Sequence, residues 1–249
     1  MPNCPPPLED CPICFVRLPI LGNGKVYVAC CGKQICRGCT HAFQSRAAKA
    51  GSRAAQRKYD KCPFCRTPSP GIDSDEIIMQ YKQRMELNDP IAISNMGGFY
   101  ANGKHRLPQN DVKALELWHR AGDLGCADSL HNISVAYLNG SHGVEVNMKQ
   151  AIHYINLAAI RGHSTARHNL GSHEVKSRGN LIRGVKHFMI AVESGGAGSL
   201  EAIRYLHSKG LAKEEDYAKA LRSYQAYVDE VKSDQRDEAA AFKDEWKYY

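Results

Sequence analysis

The sequence predicts two structures in series: a small cysteine-rich module near the amino terminus, then an all-α helix-turn-helix solenoid. Three observations carry this. Eight of the ten cysteines fall in four close pairs between positions 11 and 65. From residue 89 onward, paired helical patterns recur every 33 to 37 residues. Between the two lies RTPSPGIDSD, whose proline, serine and glycine content marks a linker. The expected boundaries are a tail over 1–10, the cysteine module over 11–70, a linker and connecting helix over 71–88, about four repeats over 89–231 and a capping helix over 232–249.

The paired cysteines are Cys11 and Cys14, Cys30 and Cys31, Cys36 and Cys39, and Cys62 and Cys65. Three of the pairs are Cys-x-x-Cys, which lets two thiolates on one tight turn take two corners of a tetrahedron around zinc. Four pairs make two closed sites, so two structural Zn2+ ions are expected, with no open position for water or substrate. Redox chemistry uses the same spacing, but the βαβ pattern that should surround it is missing. So short a segment, with few large apolar side chains, rarely stabilises itself by its core alone, whereas a structural zinc contributes on the order of 10 kcal/mol. Cys4 and Cys126 are left over, as a tail thiol and an inter-helix packing residue.

Reduced, metal-bound cysteines agree with the rest of the composition. The first ten residues, MPNCPPPLED, contain no apolar signal segment, and no apolar run approaches the roughly 18 residues of a membrane span. A cytoplasmic or nuclear setting without membrane association is therefore expected. The formal charge of +7 falls to about +3 once two ions are each held by four thiolates. The basic cluster Arg46, Lys49, Arg53, Arg57, Lys58 and Lys61 has no interleaved aromatics, so it is expected to be a solvated face rather than a nucleic-acid site.

Beyond the linker, Ile77, Ile78, Tyr81 and Met85 are at helix spacing behind possible caps at Asp73 or Ser74. This connecting helix should cover the first repeat. The repeats themselves align on Asn95, Asn132 and Asn169, each 37 residues apart. A second helical stretch follows each, starting at Lys113, Gln150, Arg183 and, for the fourth unit, Lys219. Ala114, Ala151, Gly184 and Ala220 recur at one equivalent position, with Trp118, Ile155, Phe188 and Tyr224 four residues later. Small residues let helices approach, and large ones fill the space between successive layers. His163, His168 and His173 are five apart, which spreads them around a helix, so no metal site is expected there.

These units resemble Sel-1-like (SLR) repeats, relatives of the tetratricopeptide class. The resemblance rests on the DP-x-A opening (Asp89, Pro90, Ala92), an Asn-Met-Gly turn at 95 to 97, Tyr100, Gly103, and the KALELW and A-x-x-x-G endings. In the third unit Glu174 replaces the tyrosine and the loop is short; the fourth, about 199 to 231, is degenerate. The resemblance implies a scaffold that binds a protein substrate or partner.

The cysteine segment resembles the RING finger family, an α+β zinc fold, through CPIC at 11–14, CPFCR at 62–66 and intervals of 15, 4 and 22 residues between ligand pairs. The resemblance implies interleaved sites: Cys11, Cys14, Cys36 and Cys39 on the first zinc, and Cys30, Cys31, Cys62 and Cys65 on the second. The family's usual histidine is missing, since Lys33 stands where it would fall. An all-cysteine site is the implied assignment, with His41 replacing Cys30 or Cys31 as the competitor. A further implication is a ubiquitin ligase that acts without a covalent intermediate. Ile13 and Pro63 would touch a ubiquitin-conjugating enzyme, and Arg66 would bridge to its ubiquitin. The competing expectation is a non-catalytic zinc-binding adaptor.

Overall fold

The computed structural model describes residues 9–20, 24–49, 61–68, 75–243 and 246–247. The cysteine module is built on an antiparallel hairpin of β1 (Lys25–Val28) and β2 (Lys33–Cys36), with Lys25 opposite Cys36 and Val28 opposite Lys33. Helix α1 (Arg37–Lys49) follows β2 directly. The module's core is small: Leu18 and Ile35 pack with the buried Cys11, Cys36 and Cys39, and Val26, Val28 and Phe64 close over them. Of the basic cluster, Arg46, Lys49 and Lys61 are solvent-exposed, as expected; Arg53, Arg57 and Lys58 lie outside the described residues.

The connecting helix is α2 (Asp75–Glu86). It buries Ile78 and Tyr81 against Ala92, Ile93 and Met96, and so covers the first repeat; its possible caps, Asp73 and Ser74, lie outside the described residues. Eight helices then form four antiparallel pairs. They are α3 (Pro90–Asn102) with α4 (Asp111–Asp123), α5 (Ala127–Asn139) with α6 (Met148–Ile160), α7 (Ser164–Arg178) with α8 (Leu181–Glu193), and α9 (Ala197–Ser208) with α10 (Glu214–Val231). No helix among the described residues is long and apolar enough to cross a membrane.

Local chemistry explains why the pattern repeats. The second helix of each of the first three units starts on an asparagine, Asn110, Asn147 or Asn180. Its side chain accepts from the backbone N–H three residues on, satisfying a donor the helix leaves open. The first helix of each of these units ends on a left-handed glycine, Gly103, Gly140 or Gly179. Ala114, Ala151, Gly184 and Ala220 are buried, as are Trp118 and Phe188, while Ile155 and Tyr224 are partly buried.

One expectation is corrected. Residues 95–97 are not a turn but the middle of α3, and Gly98 is helical too. A side chain at Gly97 would put its Cβ 2.6 Å from the Trp118 ring, and one at Gly171 would sit 2.7 Å from Phe188. These glycines serve helix contact rather than reversal of the chain, because the large residue of the second helix packs directly against them. The turn glycine of the first unit is Gly103.

Helix α11 (Asp234–Phe242) packs Ala240 against Tyr227 and Val231 of α10. It lies along α1 of the cysteine module. Its Arg236, 1% exposed, donates to the carbonyls of Val16, Arg17 and Val231 at 3.1, 2.7 and 2.6 Å. The Ile20 N–H donates to the Tyr227 hydroxyl, and Arg17 pairs with Glu230. At the other end of the array, Tyr27 and Ala29 join the α2–α3 core. The module therefore touches both ends of the helical array.

Candidate metal centre

The first cysteine pair and the last lie on two knuckles of the same design. In one, Cys11 N–H donates to the Val16 carbonyl and Phe15 N–H to that of Cys11; in the other, Cys62 N–H donates to Thr67 and Arg66 N–H to Cys62. Each knuckle is closed by a single antiparallel bridge, Asp10 to Arg17 and Lys61 to Pro68. Each also forces the residue after its second cysteine into the left-handed region, Phe15 at φ 57° and Arg66 at φ 61°. Neither is a glycine, so each costs on the order of 1 kcal/mol, a strain the surrounding fold must hold. The other ligand candidates come from the hairpin: Cys30 and Cys31 on its turn, Cys36 at the end of β2, and Cys39 in the first turn of α1.

The fold brings these cysteines together in two fours. Cys11, Cys14, Cys36 and Cys39 form one cluster, and Cys30, Cys31, Cys62 and Cys65 the other, with the sulfurs of each within 4.8 Å of one another. Individual separations are 3.9 Å for Cys11 to Cys39, 3.8 Å for Cys14 to Cys36, 3.8 Å for Cys31 to Cys62 and 3.4 Å for Cys30 to Cys65. Four thiolates bound tetrahedrally at about 2.3 Å from a zinc ion stand about 3.8 Å apart, so the spacing fits such an ion. All nine described cysteines are free thiols. Each cluster could hold a metal ion.

Proton chemistry points the same way. Hydrogen bonds from Cys36 and Cys39 push the Cys11 thiol far down, while Cys11 and Cys36 push Cys39 far up. In the second cluster burial, then Cys65, raises Cys30, whereas the Thr67 hydroxyl and N–H lower Cys65 to about 6. Four thiols this close cannot all ionise unless a cation compensates them. Backbone donors are already aimed at sulfur: Cys36 N–H meets Cys11 Sγ at 3.4 Å and Cys39 N–H meets Cys36 Sγ at 3.3 Å.

The competing ligand, His41, belongs to neither cluster. Its ring packs on Phe242 and Trp246, with Nε2 3.5 Å from the Ser45 hydroxyl. Lys33 holds its ammonium over the Phe64 ring. Ile13, Pro63 and Arg66 are all exposed, beside Phe15 at 79% exposure. The sequence reasoning passed over Phe15, although its place after Cys14 matches that of Arg66 after Cys65. It also missed Gln235, whose amide oxygen lies 3.6 Å from Cys39 Sγ, because nothing local links positions 196 residues apart. His163, His168 and His173 do not converge: His163 caps α7, and His168 bonds Ser199. Cys126 packs against the α2–α3 core, while Cys4 lies outside the described residues.

Comparison with known proteins bears on each part. Residues 90–126, 127–163 and 198–225 match the Sel1 repeat family model. The third unit falls between the matched segments, whereas the fourth, expected to be the degenerate one, is matched in part. The third unit carries Glu174 and a two-residue loop, yet α7 and α8 pack as the first two pairs do. A Sel1 repeat protein from Oxalobacter formigenes superposes with a TM-score of 0.56 at 22% identity, over 78% of this chain and 79% of that one. The uropathogenic Escherichia coli antigen c5321, which displays an SLR fold, gives 0.54 at 21% identity, over 76% of this chain and 40% of its own. E3 ubiquitin-protein ligase GW2 from Oryza sativa, in both subspecies indica and japonica, is 36% identical over 72 residues. That match covers 26% of this chain and only 13% of the length of those curated relatives. The chain thus carries Sel1 repeats in an SLR solenoid, joined to a two-stranded sheet and two cysteine clusters that could hold metal ions.

Proposed function

We propose that this protein is a RING-type ubiquitin ligase: its cysteine module, organised by two zinc ions, binds a charged ubiquitin-conjugating enzyme, and its solenoid binds the protein to be modified. The observation that carries this reading is an arrangement of opposites. Eight sulfurs form two interleaved clusters that the fold half buries, while Ile13, Pro63 and Arg66 stay exposed around them. Similarity over 72 residues to a ubiquitin ligase supports it.

Zinc here would supply rigidity, fixing both knuckles by its bonds to sulfur. The chain's own residues would do the rest. Ile13 and Pro63 offer apolar contact to the conjugating enzyme, and the Arg66 guanidinium offers directed donors to a ubiquitin carbonyl beside the thioester. Restricting a flexible thioester to an attack-ready pose raises its effective concentration without any covalent bond to the ligase. The strained φ of Arg66 fits a side chain held in a chosen direction.

Replacing the apolar contact separates structure from activity. Ile13→Ala should retain two equivalents of zinc and the native circular dichroism, yet lose ubiquitin discharge from a loaded conjugating enzyme by about tenfold or more. Folded protein with both metals that discharges no enzyme from a broad panel would remove the ligase reading and leave a zinc-binding adaptor.

A further inference from the structure

Resting on the metal reading above, we infer that the C-terminal helix α11 is the lid of the first metal site, with Gln235 and Arg236 as its outer shell. The two sites differ in exposure. Cys11, Cys36 and Cys39 are buried and Cys14 partly so, whereas in the second cluster only Cys62 is buried and Cys65 is exposed. Part of that difference is made by residues far along the chain. Gln235 Oε1 lies 3.6 Å from Cys39 Sγ. The Arg236 guanidinium clamps the Val16 and Arg17 carbonyls, which close the Cys11–Cys14 knuckle. Arg236 thus holds the knuckle's backbone while Gln235, one residue before it, reaches the Cys39 sulfur.

The fit of α11 to α1 is close enough to be specific. Gly38, the residue before Cys39, abuts the Arg236 backbone: a Cβ there would lie 2.7 Å from Arg236 N and 2.8 Å from the Gln235 carbonyl carbon. By helix propensity alone an alanine at Gly38 would be neutral or stabilising. The contact reverses that expectation. A positive charge beside a cluster of thiolates also offsets the net charge of about −2 that four sulfurs and one divalent ion carry.

Release of zinc to a chromophoric chelator from the full-length protein tests this. Wild type should release one equivalent quickly and one slowly, and Cys65→Ser should abolish the fast phase, which assigns the slow one to the first site. Arg236→Met should accelerate the slow phase by about tenfold or more, the range found when the outer shell of a metal site is removed, and leave the fast phase unchanged. Gln235→Ala, at a solvent-exposed position, should accelerate the same phase to a smaller degree. Wild-type protein purified without zinc would overturn the metal reading and this inference together. Two bound equivalents with a slow phase indifferent to both substitutions would overturn the inference alone.

Discussion

Asp89 shows how much one side chain can join. Its Oδ1 accepts from the Ile91 and Ala92 N–H groups at the start of α3, while Oδ2 accepts from the Tyr27 hydroxyl at 2.8 Å and from Arg84 at 2.7 Å. Hairpin, connecting helix and first repeat therefore meet on a single carboxylate. Burial alone would raise its pKa, but Arg84, Tyr27 and the Ala92 N–H outweigh burial and hold it below the usual range. A depressed carboxyl contributes stability that is present above its unfolded pKa and lost as pH falls through the folded one. Asp89→Ala should cost about 2 to 3 kcal/mol in urea unfolding at neutral pH, and the deficit against wild type should shrink below about pH 4. A deficit that does not change with pH would mean that only the backbone cap matters.

Between elements, α5 and α7 meet through the stacked rings of His131 and His163, with centroids 4.3 Å apart and planes 11° from parallel. Burial lowers both, His131 to about 4, with His163 adding to the effect; Asp128 faces the pair and Lys25 approaches from the hairpin. A histidine depressed in the fold binds its proton first when unfolded, so its contribution is whole above about pH 6.5 and is lost as pH falls toward 4. The repeat array should lose on the order of 2 kcal/mol over that interval, and His131→Phe should flatten the dependence in denaturant melts taken at successive pH values. An unchanged slope would place the sensitivity elsewhere. No spacing in the sequence announces this pair, because its members stand 32 positions apart, five short of the 37-residue repeat. What the period did make legible is the small buried residue in each second helix and the large one four places on; the asparagine caps at Asn110, Asn147 and Asn180 were not read from it. Gly97 was misplaced as a turn because a helix-contact glycine and a reversal glycine look the same until the opposing Trp118 is in view.

At the scale of the whole molecule, the four cysteine pairs were legible because ligand spacing is local, and their interleaving was what the RING resemblance implied, but the bracing of the module against both ends of the array was not readable. Contacts such as Arg236 to Val16 join residues 220 apart and obey no period. Their consequence is a coupling between metal and distant helix that must run both ways, because linkage is reciprocal. If α11 holds the first knuckle, then the ordered knuckle holds α11: the guanidinium of Arg236 depends on the Val16 and Arg17 carbonyls, and loses two acceptors when that turn melts. Stripping metal with a chelator under reducing conditions should therefore raise amide exchange in the module over 9–20 and 24–49 and also in α11 and the end of α10, where Tyr227 and Val231 are buried against this corner. Helices α5 and α6 in the middle of the array share none of these contacts and should keep their protection, since a solenoid transmits instability chiefly to neighbours. Exchange that rises only within the module would show that the two ends of the chain touch without supporting each other.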